Sequence, residues 1–247
     1  MILRLLVLLL IPLTGLAADG TYKVQAAQTN DEFNERKLGL QWQWHANPAD
    51  SWFSFAERRG QLSLTAVPMP ANAKNLWAVP NLLLQKLPAP SFTVTTLIDA
   101  SHLRAGERSG LLIMGRDYSY VAVVKTQNGT RLVHVVCHDA LNGTAENEAS
   151  SVDLKSRRVY LRVSVVSSAG DVICGFSYSL DGRRFQSAGD TFVAQPGMWI
   201  GAKVGLFAIG SEDAVSRGAV TTPGHADYDW FRLLPPARSA QTRARVR

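Results

Sequence analysis

Asp227 and Asp229 stand two residues apart in Ala226-Asp227-Tyr228-Asp229-Trp230-Phe231, a spacing that puts two carboxylates on one face of an extended strand. Catalysis by a carboxylate pair needs two acids across a cleft, roughly 5–9 Å apart. Neither aspartate has a glutamate partner nearby in sequence. The plainer reading is that one caps a turn and the other joins a structural cation site. Asp31-Glu32 lies where the fold begins, and first and last strands of antiparallel folds commonly pair. Asp31, Glu32, Asp227 and Asp229 would then gather and repel unless a hard cation bridged them; calcium, which accepts about 6–8 oxygens, is the expected ion.

Other chemistries find less support. Among His45, His102, His134, His138 and His225, the only suggestive spacing is His134 with His138. On a strand these two share a face but stand about 13 Å apart, too far to share an ion. There is no Gly-x-Ser-x-Gly elbow, no phosphate-binding glycine loop and no cysteine with the flanks of a reactive thiol. Aromatic residues are numerous, and Trp77, Tyr118, Tyr120 and Trp199 are the candidates for stacking on a sugar ring. Covering ~60 Å² of one ring at ~25 cal/mol/Å² yields only about 1.5 kcal/mol, so useful glycan binding needs two or three such rings on one surface. Trp42 and Trp44 also share a face, where core packing is the ordinary use. Trp77 and Trp199 sit near proline and glycine, in segments that read as exposed loops.

The elements that must hold these residues have a period of two. Phe92, Val94, Thr96 and Ile98 alternate with Thr93, Thr95 and Leu97, and Val159, Leu161, Val163 and Val165 alternate with Tyr160, Arg162, Ser164 and Val166. Further strand-like runs are Leu40–Trp44, Gln61–Ala66, Leu82–Lys86, Gly110–Met114, Tyr120–Lys125, Arg131–Cys137, Val172–Ser179, Val204–Ile209 and Asp227–Leu233. Asn128-Gly129, Asn142-Gly143 and Asp181-Gly182 supply turn signals between them. No sustained amphipathic helix and no internal repeat interrupts the pattern. The expected fold is all-β: one sandwich of two antiparallel sheets, in residues 30–234.

The 247 residues are 46% hydrophobic, which excludes a disordered chain. The net charge of +6 is concentrated at the ends. Without Arg4, Arg238, Arg243, Arg245 and Arg247 the body holds 21 basic against 20 acidic residues, so no nucleic-acid partner is expected. Residues 1–17 read as an export signal: Arg4, an apolar run, then Gly15-Leu16-Ala17 as the cleavage site. The expectation is a secreted or periplasmic protein with no membrane segment after cleavage, a short linker over 18–29 and a basic tail over 235–247. Cys137 and Cys174 sit in apolar runs, and the sequence leaves pairing and separate burial both open.

The string Asp31-Glu32-Phe33-Asn34, with Leu38-Gly39-Leu40-Gln41-Trp42-Gln43-Trp44-His45-Ala46-Asn47-Pro48, resembles the opening of the concanavalin A-like sandwich (a jelly roll) found C-terminal to the catalytic propeller of glycoside hydrolase family 43 β-xylosidases and α-L-arabinofuranosidases. Tyr118-Ser119-Tyr120-Val121-Ala122, Phe176-Ser177-Tyr178-Ser179-Leu180-Asp181-Gly182 and Val204-Gly205-Leu206-Phe207 resemble its later strands and turns. The resemblance implies that catalytic acids belong to a propeller, for which Ala18 to Asn30 leave no room, so no catalytic residue carries over. It also implies that a sandwich-loop aromatic, here Trp199, closes a propeller's substrate pocket. The expected function is an exported, non-catalytic accessory sandwich that binds xylan-type glycan or docks to a separate glycosidase catalytic domain. The competing reading is a stand-alone glycosidase using Asp227 or Asp229.

Overall fold

A computed structural model describes residues 29–210 and 222–234. The expected leader, nearly all of the linker and the basic tail lie outside these residues. The described chain forms sixteen strands, numbered in chain order, in two sheets. The first sheet runs, in spatial order, β1 (Gln43–Trp44), β5 (Leu83–Lys86), β15 (Lys203–Gly210), β7 (Arg108–Met114), β8 (Tyr118–Lys125), β9 (Thr130–Cys137) and β10 (Asn147–Leu154). The short β4 (Val67–Pro68) lies parallel to β15; every other pairing is antiparallel. The second sheet runs β13 (Gln186–Ser187), β12 (Asp171–Ser179), β11 (Arg158–Ser168), β6 (Phe92–Asp99), β16 (His225–Leu234), β3 (Leu62–Thr65) and β2 (Phe53–Ser54), with β14 (Phe192–Val193) against β12.

The alternation that predicts these strands also sorts their faces. Val159, Leu161, Val163 and Val165 of β11 point into the space between the sheets, where they join Leu111 and Ile113 of β7 and Val121 and Val123 of β8. The expected meeting of the chain's ends occurs as well. Asp31 and Phe231 form an antiparallel bridge, with Asp31 N–H donating to Phe231 O (2.8 Å) and Phe231 N–H to Asp31 O (2.7 Å).

The first sheet is buried on its other face too. Leu84, Leu112, Tyr118, Tyr120, Val133, Val135, Cys137 and Phe207 form a second apolar cluster there, roofed by Leu76, Val79 and Ala140 from the connecting segments. This is why Leu111-Leu112-Ile113 and Val121-Ala122-Val123 lack polar alternation: both faces of a doubly covered strand exclude water. The strand β10 escapes the period-two reading because it is a polar edge with mostly exposed side chains. The turn at Asn142-Gly143 is not a tight hairpin. Asn142 ends a single 3-10 turn (Ala140–Asn142), and Gly143 takes φ +79°. Cys137 and Cys174 are free thiols in different apolar clusters, so separate burial is the outcome.

Candidate functional site

Asp227 is the chemically unusual residue. On either side of it, even-numbered residues of β16 face the core: Ala226 and Tyr228 are both fully buried there. Between Tyr228 and Phe231 one extra residue bulges from the pairing with β6, and after it the odd-numbered Phe231 and Leu233 face inward. Thr96 Oγ1 pins the bulge by donating to Trp230 O (2.6 Å). The bulge breaks the regular alternation that would place Asp227 and Asp229 as a pair.

Asp227 sits in a row of direct cross-strand partners: Ser54 opposite Ser63, Ser63 opposite Asp227, Asp227 opposite Asp99. Opposed residues share a face, so these polar side chains stand side by side on the outside of the second sheet. Asp227 is nonetheless only 1% exposed. Ser63 Oγ donates to its Oδ1 (2.5 Å), and Oδ2 has no hydrogen-bond partner among the described residues. Three cationic or imidazole groups surround it: Arg58 Nη1 at 3.7 Å from Oδ2, His102 Nδ1 at 3.4 Å from Oδ2 and His225 Nε2 at 3.8 Å from Oδ1. The imidazoles of His102 and His225 stack with centroids 4.5 Å apart.

A loop braced by hydrogen bonds places His102. Asp99 Oδ1 accepts from Ser101 N–H (3.0 Å), Leu103 N–H closes a turn onto Ala100 O (3.3 Å), and His225 N–H donates to His102 O (3.3 Å). Glu107 ties the loop to β16 by accepting from Arg104 N–H (2.6 Å) and Gly224 N–H (2.8 Å). A side chain at position 224 would collide with Glu107 and with His102 O, so only glycine permits this approach. Arg58 donates to Asp99 Oδ2 (2.9 Å). Although burial pushes the Asp99 carboxyl up, the hydrogen bonds from Ser101 and Arg58 hold it below the usual range. Beside the cluster opens a cavity of about 600 Å³, lined among others by Trp52, Ser63, Thr65, Arg104 and His225.

The other acids expected at a calcium clip go elsewhere. Asp31 accepts from Phe33 N–H (2.9 Å) and Trp42 Nε1–H (2.8 Å). Glu32 forms a two-pronged pair with Arg232, at 2.7 Å to both Nε and Nη2, which lowers its pKa. Asp229 accepts from Gln61 Nε2 (3.3 Å). Among the described residues, no three of Asp31, Glu32, Asp227 and Asp229 bring ligand atoms within reach of one another, so they are not one ligand set. Among the described residues, the set of three possible metal-ligating side chains within mutual reach is His102, His225 and Asp227. The strand pattern contains two of the three, since His225 and Asp227 share a face by period two; His102 comes from a loop no spacing rule connects to them.

The aromatic candidates divide. Tyr118 and Tyr120 are 0% exposed, which corrects their reading as sugar platforms. Their hydroxyls donate to Glu146 (2.7 and 3.2 Å), whose carboxylate also accepts from Arg108 Nη2 (2.8 Å), all under the roof of the second cluster. Trp77 is half-buried, its ring edge against His45 and its carbonyl 3.1 Å from His45 Nε2. Trp199 is 90% exposed, between Met198 and Ile200, which are also exposed. The loop that carries them is held at its base by Ala194 N–H donating to Val172 O (2.8 Å) and Arg116 N–H to Pro196 O (3.3 Å). Beside it lies a groove of about 490 Å³ lined by Lys86, Leu87, Asp171, Gln195, Pro196 and Ile200 among others.

Two facing antiparallel sheets with this strand order, the start of the fold paired to its last strand by the Asp31–Phe231 bridge, define a concanavalin A-like sandwich. The family model for the β-xylosidase C-terminal concanavalin A-like domain matches residues 30–233, and the chain belongs to that family. It is similar to a β-xylosidase of Formosa agariphila, 27% identical over 229 residues that cover 85% of this chain and 36% of that protein. It is also similar to a non-reducing end α-L-arabinofuranosidase of Bacteroides ovatus, 24% identical over 81% of this chain and 36% of that protein. Among solved structures, a bifunctional GH43-CE protein of Bacteroides eggerthii superposes with a TM-score of 0.73 at 27% identity, covering 84% of this chain and 26% of that one. The chain thus spans about a third of the length of the curated relatives it matches.

Proposed function

We propose that this sandwich is an exported, non-catalytic accessory domain that docks to a glycosidase catalytic domain through the Met198–Trp199–Ile200 tip, near xylan-type glycan. The observation that carries the reading is the exposure of Trp199 at 90%, with apolar neighbours on both sides. A tryptophan side chain presents on the order of 150–250 Å². Covering it with a protein surface is worth about 4–6 kcal/mol gross, against the ~1.5 kcal/mol of one sugar face. The tip therefore favours a protein surface, with sugar stacking a smaller contribution at its edge. The matched β-xylosidase and arabinofuranosidase support a glycosidase as that partner. The residue pattern of positions 1–17 supports export.

The placement of the acids supports a non-catalytic role. Asp227 is buried against Ser63, and Asp229 is tied to Gln61 at the bulge. The test incubates purified protein with aryl xylosides and xylo-oligosaccharides and follows product release. The expected result is no turnover above background. Turnover abolished by Asp229→Asn or Asp227→Asn would overturn the accessory reading in favour of a stand-alone glycosidase.

A further inference from the structure

From the cluster on β16, we infer that His102, His225 and Asp227 form a binding site for a divalent transition metal of the zinc type. The ligand atoms of the three side chains all lie within 4.8 Å of one another. Nitrogen and oxygen ligands at about 2.0–2.1 Å from a tetrahedral ion stand roughly 3.3–3.4 Å apart. The His102 Nδ1 to Asp227 Oδ2 separation of 3.4 Å already has that value, and the His225 imidazole, whose ligand atom lies within 4.8 Å of the other two, closes on the same ion by a small movement of its ring.

An independent observation points the same way. Asp227 is 1% exposed, yet its Oδ2 lacks a hydrogen-bond partner among the described residues. Its only charged or imidazole neighbours among those residues, Arg58 at 3.7 Å and His102 at 3.4 Å, make no hydrogen bond to it, and a buried carboxylate oxygen without a hydrogen bond is costly. A cation on the His102 side satisfies it. The surroundings fix the ligands as outer hydrogen bonds do at metal sites: Ser63 holds the far oxygen, Asp99 and Glu107 brace the His102 loop, and His225 N–H is fastened to His102 O. Imidazole nitrogens select zinc, nickel, copper or cobalt over calcium, whose ligands are oxygens. Three protein ligands leave a coordination position for solvent or a small oxygen ligand, and the cavity of about 600 Å³ that His225 lines lies alongside.

Arg58 opposes the ion. Its guanidinium stands 3.7 Å from Asp227 Oδ2 while anchored 2.9 Å from Asp99 Oδ2, and 44% of its side chain is exposed, which leaves it free to withdraw. Removing that charge strengthens metal binding, an effect opposite in sign to simple damage of the fold.

The test is calorimetric titration of tag-free, chelator-treated full-length chain with Zn²⁺ and with Ni²⁺, and the visible spectrum of the Co²⁺ form. The expected result is one ion per chain, with affinity falling at least about tenfold in His102→Ala and in His225→Ala. His138→Ala, which alters an exposed pair with Asp117, leaves affinity unchanged, and Arg58→Gln raises it. His102 is half exposed, so its replacement spares the fold if Asp227→Asn does not. No binding, binding indifferent to His102→Ala and His225→Ala, or heat from Ca²⁺ but not from Zn²⁺ or Ni²⁺ would overturn the site. None of these outcomes bears on docking through Trp199.

Discussion

Asp99 and Asp227 are direct cross-strand partners on β6 and β16, and the Arg58 guanidinium reaches both, at 2.9 and 3.7 Å. Two carboxylates at neighbouring positions of one sheet face repel, and Arg58 together with Ser63 offsets that repulsion. Ser63→Ala removes the hydroxyl that serves the buried Asp227 Oδ1. The expected loss is about 1–3 kcal/mol, read from the urea midpoint at unchanged m-value. An unchanged midpoint would mean that Asp227 finds its stabilisation elsewhere.

Glu146 has a comparable role under the roof of the first sheet. It accepts from Tyr118, Tyr120 and Arg108, and Arg108 is three-quarters buried. Glu146→Ala leaves that guanidinium without its anion and is expected to cost about 3–5 kcal/mol. Tyr118→Phe removes two hydrogen bonds, the one donated to Glu146 and the one accepted from the buried Leu76 N–H, and costs about 1–3 kcal/mol, with no effect on partner or glycan affinity, because the ring faces no solvent. A loss of binding at unchanged thermal midpoint in Tyr118→Phe would return this residue to the surface.

Stability should fall on mild acidification. Burial lowers the pKa of His134 and of His45 from the ordinary histidine value of 6.5. The unfolded chain therefore takes up protons at a pH where the folded chain does not. The stability these neutral rings contribute is complete above about pH 6.5 and is lost as pH falls from there through their lowered folded values. Thermal melts between about pH 7.5 and 5.5 should show a falling midpoint, and His134→Gln should flatten the slope. A midpoint that rises toward acid would contradict the assignment of the buried His134 and the half-buried His45 as groups whose neutral form the fold favours.

The sandwich was readable because burial writes a period of two into strands such as β6 and β11, and because Asp181-Gly182 marks its hairpin with Gly182 at φ +70°. The polar edge strand β10 has no such period. Tyr118 and Tyr120 misled because period and composition describe a strand face without saying whether a connecting segment covers it. Leu76 and Ala140, distant in sequence, do so here. The calcium reading grouped Asp227 with Asp31, Glu32 and Asp229, which the structure does not bring within ligand reach of one another: a one-residue bulge lies between Asp227 and the Asp31–Phe231 bridge, and Glu32 turns to Arg232. His225 was within reach of the period-two argument, whereas His102 is brought in by a loop whose course depends on Asp99, Glu107 and Gly224.

The accessory reading rests on Trp199, whose indole makes little contact with its own domain. Trp199→Ala should leave the urea midpoint within about 0.5 kcal/mol of the parent, as for an exposed residue. The decisive measurement is equilibrium binding of the catalytic fragment of a family 43 β-xylosidase to the parent sandwich and to Trp199→Ala. Saturable binding by the parent, weakened at least about tenfold in the variant (~1.4 kcal/mol), is the expected result. No binding by the parent, or equal affinity of parent and variant, would contradict docking through this tip.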